Sequence, residues 1–229
     1  MKKAFFLLLT FSITTTAVAQ YVTFFKFKTD HPEQVVQTMT DMVASDYGKT
    51  IPARINLSAL LFAGTEEATH VVTFDFMSED DLQSFMNSWA VSKEAQLYSA
   101  KFSTISTATE QYIATPLYYQ GDWDPDQVFM IWNMDVKDQA AYAQAFVAFT
   151  SEYDKKKSYP GSYGIGQPIV GQGGNYSHFI WVGAKDMATS LKATKEMYND
   201  PLFQSFVGKT SDLAELKGTY MMQEIMKFK

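Results

Sequence analysis

Gly64-Thr65-Glu66-Glu67-Ala68-Thr69-His70-Val71-Val72-Thr73-Phe74-Asp75-Phe76 and Gly171-Gln172-Gly173-Gly174-Asn175-Tyr176-Ser177-His178-Phe179-Ile180-Trp181-Val182-Gly183 read as one pattern met twice. Each has a short loop, a hydroxyl residue, a histidine and an apolar strand. His70 lies 108 positions before His178, and Tyr112 lies 108 positions before Tyr220, so a whole unit recurs. In the first copy, Ser78-Glu79-Asp80-Asp81 caps a helix whose apolar face is Leu82, Phe85, Met86 and Trp89; in the second, Asp186 caps one with Met187, Leu191, Thr194 and Tyr198. Strands around Tyr112 and Tyr220 close the two copies.

The elements preceding the histidine strands repeat as well. Tyr21-Val22-Thr23-Phe24-Phe25-Lys26-Phe27 is a β-rich run, and Asp30-His31-Pro32-Glu33 starts a helix with its stripe at Val35, Met39, Met42 and Val43. Ile55 to Phe62 then forms a strand. After the turn-rich stretch Tyr118 to Asp126, the series restarts with a strand at Val128 to Met134. A helix face at Tyr142, Ala145, Phe146 and Phe149 follows, then a strand at Ser162 to Val170. The predicted fold is α+β, two tandem ferredoxin-like βαββαβ units at 20–116 and 127–229, joined by a linker at 117–126.

Lys2-Lys3, the apolar run Ala4 to Phe11 and Ala17-Val18-Ala19 form a signal peptide over 1–19, with cleavage after Ala19. A periplasmic or secreted protein is therefore expected, with no membrane insertion once the signal is removed, since the apolar run is far shorter than the roughly 20 residues of a membrane span. Without Lys2 and Lys3 the balance is 17 basic against 25 acidic side chains, −8, which disfavours nucleic acid and anionic lipid as partners. The chain has no cysteine, so no disulfide staples it and no thiolate zinc site can form.

Tyr159-Pro160-Gly161, the strand Phe179-Ile180-Trp181-Val182, and Asn199-Asp200-Pro201-Leu202-Phe203-Gln204-Ser205-Phe206 resemble stretches of the dimeric α/β-barrel superfamily, in particular its antibiotic-biosynthesis-monooxygenase-like members. The resemblance implies that two antiparallel sheets face each other as an α/β barrel within one chain, with helices outside and a cavity inside. It also implies a monomeric folding unit, because both halves of the barrel are already present.

Alternation then sorts the strands. Val72 and Phe74, like Ile180 and Val182, should pack on helices; Val71, Thr73 and Asp75, like Phe179, Trp181 and Gly183, should face the interior. Asp75, a carboxylate in an apolar strand, needs a partner such as Lys26 or Arg54, or else meets ligand or water in a pocket. The candidate ligand-binding residues are Asp75, Tyr112, Trp181 and Tyr220, with His70, His178, Trp132 and Asn133. At the mouths of their strands the two histidines read as a general base, as metal or haem ligands, or as caps of neighbouring backbone groups.

No cofactor motif or metal-ligand cluster is evident. Gly164-Ile165-Gly166 lacks the third glycine of a dinucleotide loop, and Gly161-Ser162-Tyr163-Gly164 is not a nucleophile elbow. Haem-degrading members of the superfamily carry a tryptophan at the end of the third strand and a histidine on the next helix; here Phe76 or Gly183 stands at the first place and no histidine at the second. Asn56-Leu57-Ser58 and Asn175-Tyr176-Ser177 match glycosylation sequons. Two functions remain: an exported protein that binds a small apolar or aromatic molecule, and a cofactor-independent monooxygenase-like enzyme acting on an electron-rich aromatic substrate.

Overall fold

The computed structural model describes residues 21–171 and 174–228, so the expected signal peptide at 1–19 lies outside the described residues. In the first half come β1 (Tyr21–Lys28), α1 (Pro32–Ala44), α2 (Asp46–Thr50), β2 (Arg54–Leu61), β3 (His70–Phe76), α3 (Glu79–Val91), α4 (Lys93–Ile105) and β4 (Thr107–Gln120). The second half has β5 (Val128–Val136), α5 (Gln139–Lys156), β6 (Tyr163–Val170), β7 (His178–Ala184), α6 (Met187–Tyr198), α7 (Pro201–Thr210) and β8 (Ala214–Lys227). All eight strands pair antiparallel in one closed barrel of order β1-β3-β2-β8-β5-β7-β6-β4.

Closure depends on two long strands. β4 pairs with β1 through residues 107–114 and with β6 through 113–120, while β8 pairs with β5 through 214–223 and with β2 through 221–227. Each strand therefore hands over from one half to the other, and no sheet edge is left unpaired. β4 bends as it crosses, with register shifts at Ile113/Ala114 and Pro116/Tyr118; Pro116, lacking an N–H, sits where the ladder is already interrupted. This seam absorbs residues 117–120 of the expected linker into β4.

Caps explain where the helices start. Ser78 Oγ accepts from Asp81 N at 3.1 Å, Asp138 Oδ1 from Ala141 N at 3.0 Å and Asp186 Oδ1 from Thr189 N at 2.7 Å. At α1 the expected Asp30 cap does not form: the N-cap position falls on His31, with no side-chain cap hydrogen bond, and Thr29 Oγ1 accepts from His31 N at 2.9 Å just before the helix. Two further long helices were not anticipated, α4 after Ser92 and α7 after Asp200, each cap accepting from the next turn. Among the described residues no helix is long and apolar enough to cross a membrane.

Period two then divides the apolar residues into three layers. Val72, Phe74 and Phe76 face the helices of the first half with Phe85, and Val182 faces those of the second with Phe146 and Phe206. Phe24, Val71, Tyr112, Ile131, Phe179, Trp181, Tyr220 and Met222 face one another inside the barrel. Phe85 is 2% exposed between Phe74 and Phe76, with ring centroids 5.0 and 5.3 Å away. Phe85→Ala should cost about 3–5 kcal/mol of unfolding free energy by chemical denaturation; a loss below about 1 kcal/mol would contradict this account of the layer.

Candidate functional site

The barrel interior is a row of rings with a polar group at each end. Phe24 stacks on Tyr112 (centroids 4.6 Å apart, 13° between planes) and meets Phe179 edge-on at 5.8 Å; Phe179 contacts Trp181 at 6.0 Å. Glycines on β6 make room for these rings. A Cβ at Gly164 would lie 2.4 Å from the Trp181 ring, and one at Gly166 would lie 2.5 Å from that of Phe179. Where Gly183 replaces a side chain, the carboxylate of Asp126 occupies the space and accepts from Ser162 N at 2.9 Å.

Asp75 marks one end. It is 4% exposed, accepts from Trp123 Nε1 at 3.2 Å and has Arg54 Nε 4.0 Å away. Arg54 also reaches Asp124 at 3.5 Å, and Lys227 pairs with Asp124 at 3.3 Å, so the mouth is closed by a partly exposed charge network. Desolvation pushes Asp75 up to about 6, against the opposing pull of Trp123 and Arg54. Trp123 comes from the connection between the halves and packs edge-on against Trp181 at 6.1 Å and Tyr119 at 5.4 Å. Between Asp75 and Tyr112 lies a cavity of ≈110 Å³, lined chiefly by Phe24, Thr73, Trp123, Trp181 and Tyr220, with Asn56 and Ser58 as neutral polar groups.

At the opposite end is Lys26, 1% exposed, held by Glu110 at 2.8 Å and Glu66 at 3.2 Å. Its ammonium stands 5.3 Å from the Tyr220 ring and 5.8 Å from that of Tyr112. Burial alone would lower the pKa of Lys26, but the adjacent carboxylate of Glu110 outweighs it and its pKa is raised, so it remains a cation. Burial raises the pKa of both Tyr112 and Tyr220, which stay neutral hydroxyls.

Of the sequence candidates, Asp75, Tyr112, Trp181 and Tyr220 meet around one cavity. Asn133 faces inward too, but at the Lys26 end, where it lines a separate space with Glu66, Glu110 and Tyr176. His70, His178 and Trp132 do not reach the interior. They share strand parity with residues that face the helices, and the offset that pairs the two histidines gives neither a route inward. His70 Nδ1 meets Thr69 Oγ1 at 2.8 Å and its ring stacks on Phe27; His178 Nδ1 meets Ser177 Oγ at 2.9 Å. Burial lowers the pKa of both, Asp135 partly opposing it at His178. Trp132 Nε1 donates to Tyr198 Oη at 2.8 Å in the helix layer. Arg54, and not Lys26, is the cation beside Asp75.

Trp123 escaped the sequence reading because it sits among the turn residues of a connection. Its signal was an indole in a polar loop, which must find cover somewhere. Asn56, the first residue of a matched sequon, is taken up in lining the cavity. A haem does not suit these residues: no imidazole lines the cavity, and ≈110 Å³ is smaller than the macrocycle. Among the described residues no group of three His, Cys, Asp or Glu side chains is placed to hold a metal ion.

No protein-family model matches the chain, and no curated protein matches its sequence. Solved structures do match. A protein described as a candidate monooxygenase from Lactobacillus acidophilus NCFM is 10% identical with a TM-score of 0.58, over 92% of this chain and 95% of that one. An anthrone oxidase-like protein is 13% identical with a TM-score of 0.58, over 90% and 92%. A haem-binding protein from Thermus thermophilus is 9% identical with a TM-score of 0.53, over 91% and 92%. At such identities the likeness is one of fold, an α+β chain closed into an eight-stranded antiparallel barrel.

The buried carboxyl has a measurable consequence. The folded chain keeps the Asp75 proton up to pH about 6, whereas an ordinary aspartate loses it near 3.8. Between those values folding takes up a proton, so this residue's contribution falls as pH rises through the window and stays unfavourable above it, by at most about 3 kcal/mol. Asp75→Asn should raise stability at pH 7 and flatten the dependence of unfolding free energy on pH between about 4 and 6. An unchanged slope would mean that Asp75 is not desolvated.

Proposed function

We propose that this chain is an exported, tandemly duplicated member of the dimeric α/β-barrel superfamily that holds one small, flat, electron-rich aromatic molecule between Asp75 and Tyr112. The observation that carries the reading is Asp75 itself, a nearly inaccessible carboxyl at the end of a cavity walled by Phe24, Trp123, Trp181 and Tyr112. Apolar walls with a few convergent polar groups are the usual form of a small-ligand site. Cavities of about 150 Å³ accept a benzene ring, so at ≈110 Å³ the space takes at most one ring, partly projecting towards the mouth at Asp124 and Lys227. A phenolic hydroxyl on that ring would meet Asp75, with Asn56 and Ser58 within the same lining. Duplication is supported by the shared strand order of the halves, β4-β1-β3-β2 and β8-β5-β7-β6. Export is supported by Ala17-Val18-Ala19 and the apolar run before it.

A second reading, oxidation without a cofactor, is favoured by the pKa of Asp75 at about 6. A base tuned near neutrality can take the proton of a phenol. The first hydroxyl proton of a catechol would pass to Asp75, and the phenolate would give two electrons and its second hydroxyl proton to dissolved dioxygen, which with the Asp75 proton leaves as hydrogen peroxide while the ring becomes the quinone. The likeness to proteins described as a candidate monooxygenase and anthrone oxidase-like supports the same direction.

Two measurements separate the readings. The protein purified from the extracytoplasmic fraction, with Gln20 as its first residue, should carry or bind a stoichiometric aromatic compound seen by mass spectrometry or calorimetry with catechols. Oxygen uptake with catechols, rising with pH through about 6 and lost in Asp75→Asn while binding persists, would establish the enzyme. Oxygen uptake indifferent to Asp75→Asn would remove the base from the mechanism, and failure of any single-ring phenol to bind would remove the site.

The folding unit is proposed to be a monomer, because both inter-sheet seams are formed within one chain. Its melting temperature should not change over a hundredfold range of protein concentration; a rise with concentration would show that a second chain completes the fold.

A further inference from the structure

Rings that fill the helix–sheet layer of the first half are missing from corresponding positions in the second. β7, α6 and α7 begin 108 residues after β3, α3 and α4. Along that offset Phe74 corresponds to Val182, Phe76 to Ala184, Phe85 to Ala193 and Trp89 to Met197. In the first half Phe74, Phe76, Phe85 and Trp89 form a continuous set, with centroids 5.0 to 6.4 Å apart. In the second half the rings stand mainly on the helices, as Tyr142, Phe146 and Phe149 of α5 and Phe203 and Phe206 of α7, with Trp132 of β5 and Tyr163 of β6 on the strands. They leave a cavity of ≈540 Å³ over the strands. Protein interiors rarely keep voids much larger than a water molecule, and this volume falls within the roughly 300–1,000 Å³ of ligand sites.

The lining states what could enter. Trp132, Ile180 and Val182 form the floor, and Ile180 is only half-buried although it lies mid-strand beneath helices. Among the described residues no charged side chain lines the space, so an ionic ligand would lose its hydration without compensation. Tyr142 is 2% exposed and burial raises its pKa, so it presents a neutral O–H donor in the wall. The solvent edge carries Tyr198, Val207 and Leu216, all exposed, so the entrance is apolar as well.

We propose that this cavity is a second ligand site, on the opposite face of the sheet from Asp75, for an uncharged lipid-like molecule carrying one hydrogen-bond acceptor, such as a fatty alcohol or long-chain ketone. The acceptor oxygen meets Tyr142, and the chain lies along Ile180, Val182 and Phe149. Because Trp181 and Val182 point to opposite faces of β7, the two sites can be changed separately.

The test uses the neutral fluorophore N-phenyl-1-naphthylamine as probe, displaced by 1-dodecanol. Wild-type protein should bind the probe, release it to dodecanol, and release it at least tenfold less readily to dodecylammonium or dodecanoate. Val182→Phe and Met197→Trp, which restore the rings of the first half, and Ile180→Phe, which enters the space from its floor, should weaken probe binding at least tenfold while circular dichroism stays native. Tyr142→Phe should weaken dodecanol about tenfold and leave the probe unaffected. Asp75→Asn should alter neither. Undiminished binding in folded filled variants, equal displacement by the charged amphiphiles, or loss of binding in Asp75→Asn would overturn the proposal. So would unfolding of all three filling variants, since the volume would then not be available. Binding by a chain starting at Gln20 but not by one starting at Met1 would assign the cavity to the chain's own apolar run, and would overturn it equally.

Discussion

β4 and β8 each pair with one half of the chain along their first stretch and with the other along their last, and the closure they impose decides which side chains of the two halves can meet. A 14-residue strand that passes from one partner to the next cannot end where its own half ends. It therefore carries side chains of one half into the wall of the other: Tyr112 and Ala114 come to face Phe179 and Trp181, while Met222 and Glu224 come to face Asn56 and Ser58. Because no edge remains, the inner surface is a closed tube, and every inward side chain must find a partner across it or leave space.

Within that tube the two ends differ in charge. The Asp75 end pairs a neutralisable carboxyl with an indole donor and a guanidinium, and opens towards Asp124 and Lys227. The other end buries an ammonium between two carboxylates and several tyrosine rings. These arrangements respond differently to the same low dielectric. Lys26 is ionised because its charge is answered at close range, whereas Asp75 is pushed towards the neutral form because its answers are an N–H and a cation 4.0 Å away. A carboxyl poised in that way can exchange a proton with something beside it, while the Lys26 cluster serves as a fixed structural charge.

The histidine strands show how far the sequence could be read. Their alternation sorted Val72, Phe74, Ile180 and Val182 from Val71, Thr73, Asp75, Phe179 and Trp181, and the structure keeps that division. The same alternation places His70 and His178 outside the cavity, a consequence the repeat's own prominence obscured. α4 and α7 were missed because a second helix following directly on a first blurs into it by period alone, and their Ser92 and Asp200 caps were the available sign. Trp123 was passed over because burial of a loop residue depends on what the loop crosses.

By itself the chain determined the strand and helix periods, the inward position of Asp75, Tyr112, Trp181 and Tyr220, and the lack of any thiol chemistry. These are local or additive properties, carried by spacing and residue type. Only the tertiary structure decided that Arg54 and Trp123 answer Asp75 while Lys26 is taken by Glu66 and Glu110, and that unfilled space lies beside Asp75 and beneath α5 and α7. Those outcomes depend on strands distant in sequence meeting in a particular register. Desolvation and unfilled volume are sums over neighbours that no single stretch of sequence contains.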